Sequence, residues 1–256
     1  MGLFDKKYCD ICNEKIKLLG NRKLEDGNLC KGCAKKLSPF FSERRRSTIA
    51  DIQDQLAYRE ENKAAVSAFH VTRTLGMGTK VLLDEDAGKF IVSSARRWQE
   101  ENPDVLGFSQ VTGCNVDIDE RKKELKYRDK EGKEISHNPP RYVYSYDFNM
   151  IIHVNSPWFD EIRFRLNNRT IEVEPPAGRM RMQGGADIGR RSVDYRECEA
   201  LAEEIKAALM QVRESARESM AAANAPKSAQ TCPLCGATTI PDASGRCEYC
   251  GGAVQG

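Results

Sequence analysis

The sequence is poor in histidine, with three in 256 residues, and poor in aromatic residues, which make up 7% of it with only two tryptophans. It contains no P-loop, no Gly-x-Ser-x-Gly and no His-Glu-x-x-His. His70, His137 and His153 share no spacing with carboxylates or thiols that would make a nucleophile–base pair or a histidine metal site. GMGTKV at 76–81 has Gly-x-Gly but neither a third glycine nor a following helix, so it does not read as a phosphate cradle. The expectation is a non-enzyme. There is no apolar run of the roughly 18 residues a membrane-spanning helix needs. The opening MGLFDKKYCD has no apolar stretch behind a basic one, and position 6 is Lys rather than Ser or Thr, so neither a signal peptide nor myristoylation is expected. With a mean hydropathy of −0.60 and 30% charged residues, the composition is that of a soluble globular protein, for which a cytoplasmic, reducing compartment is the default.

What the sequence has is cysteine, ten in all, eight of them in two quartets. Cys9, Cys12, Cys30 and Cys33 are spaced C-x2-C-x17-C-x2-C, and Cys232, Cys235, Cys247 and Cys250 are spaced C-x2-C-x11-C-x2-C. Two residues between cysteines let the backbone turn so that both sulfurs face one centre, and two such turns supply four tetrahedral ligands. Disulfides fit a reducing compartment poorly. A thioredoxin-like redox pair wants a βαβ setting, and nothing here alternates that way. Iron in a rubredoxin-like site would use the same four ligands. Structural Zn2+, one ion per quartet, is the expectation, because closed all-cysteine sites leave no position for a reacting water.

The flanking residues agree. In CPLCG (232–236) and CEYCGG (247–252), Gly236 and Gly251 stand where a left-handed backbone is wanted. IPDASGR (240–246) is turn-rich, and the whole segment reads as a zinc ribbon. In the first quartet an Asp26-Gly27 turn marks a hairpin, and CKGCAKKLSPFF is expected to form a helix ending near Pro39. A knuckle, a hairpin and a ligand-bearing helix make a treble clef. Cys114 and Cys198, alone in a strand and a helix, read as ordinary buried thiols.

Between the quartets, residues 47–70 read as one helix, with Thr48 and Asp51 as a capping box and an apolar stripe of Ile49, Ile52, Leu56, Val66 and Phe69, interrupted by a polar interval at Arg59–Lys63. Residues 80–94 are a hairpin turning at Asp84–Gly88; 105–120 alternate with a bulge near Gly113; 122–135 are a charged hairpin turning at Lys130–Gly132; and 141–154, 161–166 and 170–173 are further strands. Tyr142, Tyr144, Tyr146 and Phe148 share one strand face, which favours a core role over base stacking. After a Gly/Met/Arg loop, a helix is expected over 194–214, burying Val193, Leu201, Ile205, Leu209 and Val212.

About seven short antiparallel strands closed by a C-terminal helix fit a pleckstrin-homology-like barrel or sandwich, and residues 80–214 resemble bacterial members of that superfold in order of elements. The segments GLFDKKYCDIC, KLEDGNLCKGC and LAYREENKAAV resemble, over roughly residues 1–75, a bacterial family with an N-terminal four-cysteine zinc site, catalogued only as a domain of unknown function. The resemblance implies metal binding in a bacterial cytosol and carries no activity with it.

The fold class expected is therefore α+β and multi-domain: a four-cysteine module over 1–42, a connecting helix over 43–75, the β domain with its helix over 76–214, a flexible Ala/Ser-rich linker over 215–230 and the ribbon over 231–256. Residues 1–50 hold 12 Lys/Arg against 6 Asp/Glu, and two basic stretches stand out in the chain, one at 42–47 and one at 178–191. Arg44, Arg45 and Arg46 in the first, and Arg179, Arg181, Arg190 and Arg191 in the second, are candidate anion-binding residues, because Arg presents bidentate donors to phosphate. The function expected is a non-catalytic zinc-binding adaptor for a protein partner. The alternatives are nucleic-acid binding through the basic N-terminal module and recognition of a membrane surface through the β domain.

Overall fold

A computed structural model describes residues 7–175, 185–224, 229–240 and 245–254, with side chains described through Gln211 in the last long helix. The chain divides into two compact units, Met1–Glu214 and Ser215–Gly256. The class is α+β: antiparallel sheets, few helices and a cysteine quartet in each unit.

The first unit begins with a two-stranded ribbon of β1 (Arg22–Lys23) and β2 (Asn28–Leu29), turned at the expected Asp26-Gly27. Helix α1 (Lys31–Ala34) is a single turn, much shorter than the run to Pro39 expected from sequence. Helix α2 (Ile49–Ala68) starts at the expected capping box: the Asp51 N–H donates to the Thr48 hydroxyl, and the Asp51 carboxylate accepts from the Thr48 N–H. Asp26 adds a second cap, accepting from the Ile49 N–H at 2.8 Å, which ties the hairpin turn to the helix start.

Eight strands follow. β3 (Arg73–Leu75), β4 (Lys80–Asp84), β5 (Lys89–Ser93) and β6 (Leu106–Gly107) make a four-stranded meander. β7 (Val111–Arg128) and β8 (Glu134–Val154) form a long hairpin, and β9 (Glu161–Arg165) and β10 (Ile171–Val173) both pair with β8. Two of these strands are not short: β7 spans 18 residues and β8 spans 21. β3 was not foreseen, and it places the start of the β region before the expected boundary at residue 76. The expected bulge near Gly113 is present, as a register shift between Val111 and Gly113. A second shift lies where Leu125 pairs with Arg141 but Lys126 pairs with Ser136, so His137 sits on a strand irregularity against Tyr127.

The sheets and the C-terminal helix share one core. Val81, Leu83, Phe90 and Val92 from the meander meet Tyr144, Tyr146, Phe148, Met150 and Ile152 from β8, so the aromatic strand face is buried. Helix α3 (Gly185–Gly189) lies in what reads from sequence as a loop, and α4 (Val193–Asn224) covers the core. The buried face of α4 is Tyr195, Cys198, Ala202, Ile205, Ala208 and Leu209; Val193 is exposed and Leu201 only half-buried. Tyr195 takes the position expected of Val193 because its ring meets Tyr146 and Phe148 edge-on, at 5.0 and 4.8 Å between centroids. The side chain of Val212 lies outside the described residues. α4 continues through Asn224, so 215–224, expected as flexible linker, are helical, and 225–228 lie outside the described residues.

Candidate metal centres

The N-terminal quartet is assembled from three local devices. The Asn13 N–H donates to the Cys9 carbonyl at 2.8 Å, and Asn13 adopts φ 57°, which turns the chain so that Cys9 and Cys12 face inward. The β1–β2 ribbon returns the chain to Cys30, whose N–H donates to the Cys9 sulfur at 3.2 Å. Cys30 is the N-cap of α1, and its sulfur accepts from the Cys33 N–H at 3.2 Å. All four sulfurs lie within 4.8 Å of one another, and the Cys12–Cys30 pair is 3.7 Å apart.

The C-terminal quartet uses two similar knuckles. The Gly236 N–H donates to the Cys232 carbonyl and the Gly251 N–H to the Cys247 carbonyl, both at 2.8 Å. Gly236 and Gly251 sit at φ 71° and 70°, the left-handed backbone expected there. Strands β11 (Gln230–Thr231) and β12 (Thr238–Thr239) flank the first knuckle. The second is framed by an Arg246–Ala253 bridge. Residues 241–244 of the expected turn-rich IPDASGR stretch lie outside the described residues. Sulfur pairs Cys232–Cys250 and Cys235–Cys247 are 3.5 and 3.8 Å apart.

These distances test what the sites can hold. A tetrahedron of thiolates at about 2.3 Å from a metal has sulfur–sulfur edges of about 3.8 Å. The pairs match that edge and are far longer than the roughly 2.05 Å of a disulfide; all eight cysteines are unbridged. Each quartet can hold one metal ion.

The thiol electrostatics point the same way. Burial pushes Cys9 up, but backbone N–H groups at Cys12, Cys30 and Ile11 outweigh it and bring the thiol down to about 7, while burial and the neighbouring sulfurs push Cys33 up. In the second quartet, backbone donors at Cys235 and Leu234 outweigh burial and bring Cys232 down to about 6; the Gly252 backbone N–H pulls Cys250 down, but the sulfurs of Cys235, Cys232 and Cys247 together with burial outweigh it and hold that thiol up to about 12. Four sulfurs this close cannot all ionise unaided, and a bound dication removes the conflict. Cys114 and Cys198 are buried apart from both quartets, and burial raises both thiols, Cys114 to about 12.

The N-terminal centre is joined to the β region by a buried polar set that the sequence does not announce. On α2 the buried residues are Ile52, Gln55, Arg59, Asn62 and Val66, so Arg59 and Asn62, in the polar interval, are part of the inward face. The Arg59 guanidinium pairs with Asp104 at 2.8 Å and donates to the carbonyls of Lys36, just after α1, and Asn102. Asn62 donates to the Pro103 carbonyl and accepts from the Val105 N–H; the Ser38 hydroxyl donates to Asp104 at 2.7 Å. Burial holds the Asp104 carboxyl above its usual range even against Arg59. Fully satisfied, such a network fixes one arrangement of the parts it joins.

The candidate anion-binding arginines divide. Arg190 forks onto Glu199 and is thereby engaged. Arg191 also has an interaction partner, and Arg179 and Arg181 lie outside the described residues. Arg46 pairs loosely with Glu43 at 3.6 Å. Arg44 and Arg45 join Arg22, which sequence reading did not single out, on one cleft of about 500 Å³. Burial and the nearby Arg22 and Arg45 charges lower the Arg44 pKa. Among the described residues no helix is long and apolar enough to cross a membrane.

The site and fold thus define a metal-binding α+β protein with a cysteine quartet in each compact unit. More particularly, residues 7–55 match the family model described as a domain of unknown function, DUF4428. That span takes in the whole first quartet and ends inside α2. No curated protein and no solved structure matches the chain.

Proposed function

We propose that the protein is a non-catalytic adaptor whose two quartets each hold one structural Zn2+, and whose metal-built surfaces are presented to a protein partner. The observation that carries the reading is the closed, four-sulfur geometry of both sites. Four thiolates complete a tetrahedron and leave no coordination position for a substrate or an activated water. Cys9, Cys12, Cys30 and Cys33 would hold one ion and Cys232, Cys235, Cys247 and Cys250 the other; each ion would supply cross-linking, not reactivity. Zinc is favoured by the all-thiolate tetrahedral donor set.

The knuckle, ribbon and helix turn of the first site read as a treble clef, and the two knuckles of the second as a zinc ribbon. The β region reads as pleckstrin-homology-like because a four-stranded meander, a second sheet and a helix follow in that order. A reducing, cytoplasmic compartment suits eight metal-ready thiols. The partner contacts are sought on exposed apolar side chains of the zinc modules, among them Leu234, Ile240 and Tyr249 in the second unit.

Native mass spectrometry on gently purified protein tests the reading. Two zinc ions per chain are expected, falling to one in Cys12→Ser and to one in Cys235→Ser. Folded, reduced protein without metal overturns it.

A further inference from the structure

At the edge of the N-terminal module, Leu18 and Leu19 are 90% and 92% exposed. A single exposed leucine is ordinary; two adjacent ones at this level, on the corner of a tight turn, are not. The turn is closed by the Gly20 N–H donating to the Lys17 carbonyl at 2.8 Å. Leu19 occupies its second corner at φ 62°, a left-handed backbone that costs a branched residue about 1–2 kcal/mol and is usually given to glycine or asparagine. The neighbouring Ile16 is buried in the module core and anchors the turn. Leucine at this strained, solvent-exposed corner adds nothing to the fold's own packing, and such costly positions gather where a protein meets something else.

The charge along this corner is mainly positive. From Lys15 to Leu24 the sequence KIKLLGNRKL carries four cations and no carboxylate. Immediately beyond Leu19 the chain enters the cleft lined by Asn21, Arg22, Lys23, Glu25, Arg44 and Arg45. Among the described residues neither Arg22 nor Arg45 has an ion-pair partner, and the Arg44 guanidinium donates only to the Lys23 carbonyl, at 3.2 Å. Glu25 is the single carboxylate on the cleft.

We propose that the Lys17–Gly20 turn and the adjoining arginine cleft form a docking surface for an anionic lipid membrane. The leucines enter the boundary between headgroups and acyl chains, Lys15, Lys17 and Lys23 lie at the surface, and the Arg22, Arg44 and Arg45 cleft receives a phosphate-bearing headgroup. Charge complementarity chooses a lipid surface over a neutral protein face, and the aliphatic corner chooses it over nucleic acid, where a stacking aromatic would be of use and leucine would not. Two leucines and a basic collar give a reversible, peripheral contact, not an anchor. This goes beyond the adaptor reading and gives the adaptor a membrane face; it uses the metal-built module but not the identity of the protein partner.

The test is co-sedimentation of zinc-loaded full-length protein with phosphatidylcholine vesicles made with and without phosphatidylglycerol, the zinc count of each sample being read by native mass spectrometry. Wild type is expected on the anionic vesicles alone, with binding that weakens as salt rises. Leu18→Ser with Leu19→Ser is expected to weaken partitioning roughly a hundredfold, about tenfold for each leucine kept from the apolar boundary. Arg44→Gln and Arg45→Gln are expected to cost roughly fivefold each, while Lys130→Gln with Lys133→Gln, at the β7–β8 turn, leaves binding unchanged. Zinc-loaded protein that ignores anionic vesicles, or that binds them equally well without the leucines, overturns the proposal and leaves the two-zinc reading standing. Binding to an oligonucleotide that needs the arginines, in protein that does not bind vesicles, overturns it in favour of nucleic acid. Loss of zinc from wild type would instead break the metal reading.

Discussion

Around the N-terminal quartet, Ile16, Leu24, Leu29, Leu37 and Ile52 are buried with Cys9 and Cys33, and α2 runs on from them to the β region through Arg59 and Asn62. Around the C-terminal quartet the buried apolar set among the described residues is Cys232, Cys247 and Val254. The ligand grammar is nearly the same, and the surroundings are not. So small a cluster cannot offset the entropy of ordering even a short chain, so on the two-zinc reading the C-terminal fold is expected to depend on a bound metal as a zinc finger does. The N-terminal module has a small core of its own and a splint, α2, whose other half belongs to the β region. What the difference teaches is that the same four ligands can make a fold outright or merely complete one.

Metal removal is the strongest way to break that comparison. Ligation by structural zinc is worth about 10–16 kcal/mol in isolated finger peptides, so chelation is expected to bring the amides of residues 229–240 and 245–254 to unprotected hydrogen-exchange rates. Protection should persist in the second half of α2, where Arg59 and Asn62 are held by Asn102–Val105. Equal loss in both places would show that the N-terminal splint does not stand without its metal.

The splint itself comes next. Asp104→Ala leaves the Arg59 guanidinium buried without its charge partner and is expected to cost about 3–5 kcal/mol in chemical denaturation. Replacing both together, Arg59→Met with Asp104→Leu, should recover most of that loss. A cost below about 1 kcal/mol for Asp104→Ala would remove the network from the account.

A smaller effect has the opposite sign. Gln55 is fully buried on α2, and among the described residues neither its amide oxygen nor its nitrogen has a hydrogen-bond partner. Gln55→Met removes two unsatisfied polar atoms at similar volume and is expected to raise stability by about 1 kcal/mol or more. Destabilisation would mean that the amide serves something else.

The smallest effect is at the start of α2. Thr48→Ala breaks the capping box and should cost about 1 kcal/mol. The backbone and side-chain hydrogen bonds from Thr48 hold the Asp51 carboxyl below its ordinary value of 3.8. A depressed folded pKa contributes stability that is present above the unfolded value and is lost as pH falls through the folded one. Asp51→Asn is therefore expected to flatten the acid side of the stability–pH curve below about pH 4, and an unchanged slope would count against the cap.

Much of this was legible because it is local. The cysteine spacings, the two knuckle glycines, the Thr48–Asp51 box and the turns at Asp26-Gly27 and Asp84–Gly88 each need only a few neighbouring residues to be read. The misses have one physical character. α1 stops after a turn, Tyr195 displaces Val193 on α4, and Arg59 faces inward, because partners distant in sequence settle each case. Asp104 lies 45 residues from Arg59, and no periodicity within a helix can announce it.

By itself the sequence determined where the two cysteine quartets are, that each could close around one metal ion, and that antiparallel strands and a terminal helix lie between them. Thiolate spacing and turn chemistry act over a few residues, so their consequences survive without knowledge of the rest of the chain. Only the tertiary structure decided that a polar helix stripe would become a buried joint, that Arg22 would meet Arg44 and Arg45 on one cleft, and that Leu18 and Leu19 would stay exposed. Desolvation, like-charge crowding and exposure are properties of what folding brings together, and they exist only once the chain has closed.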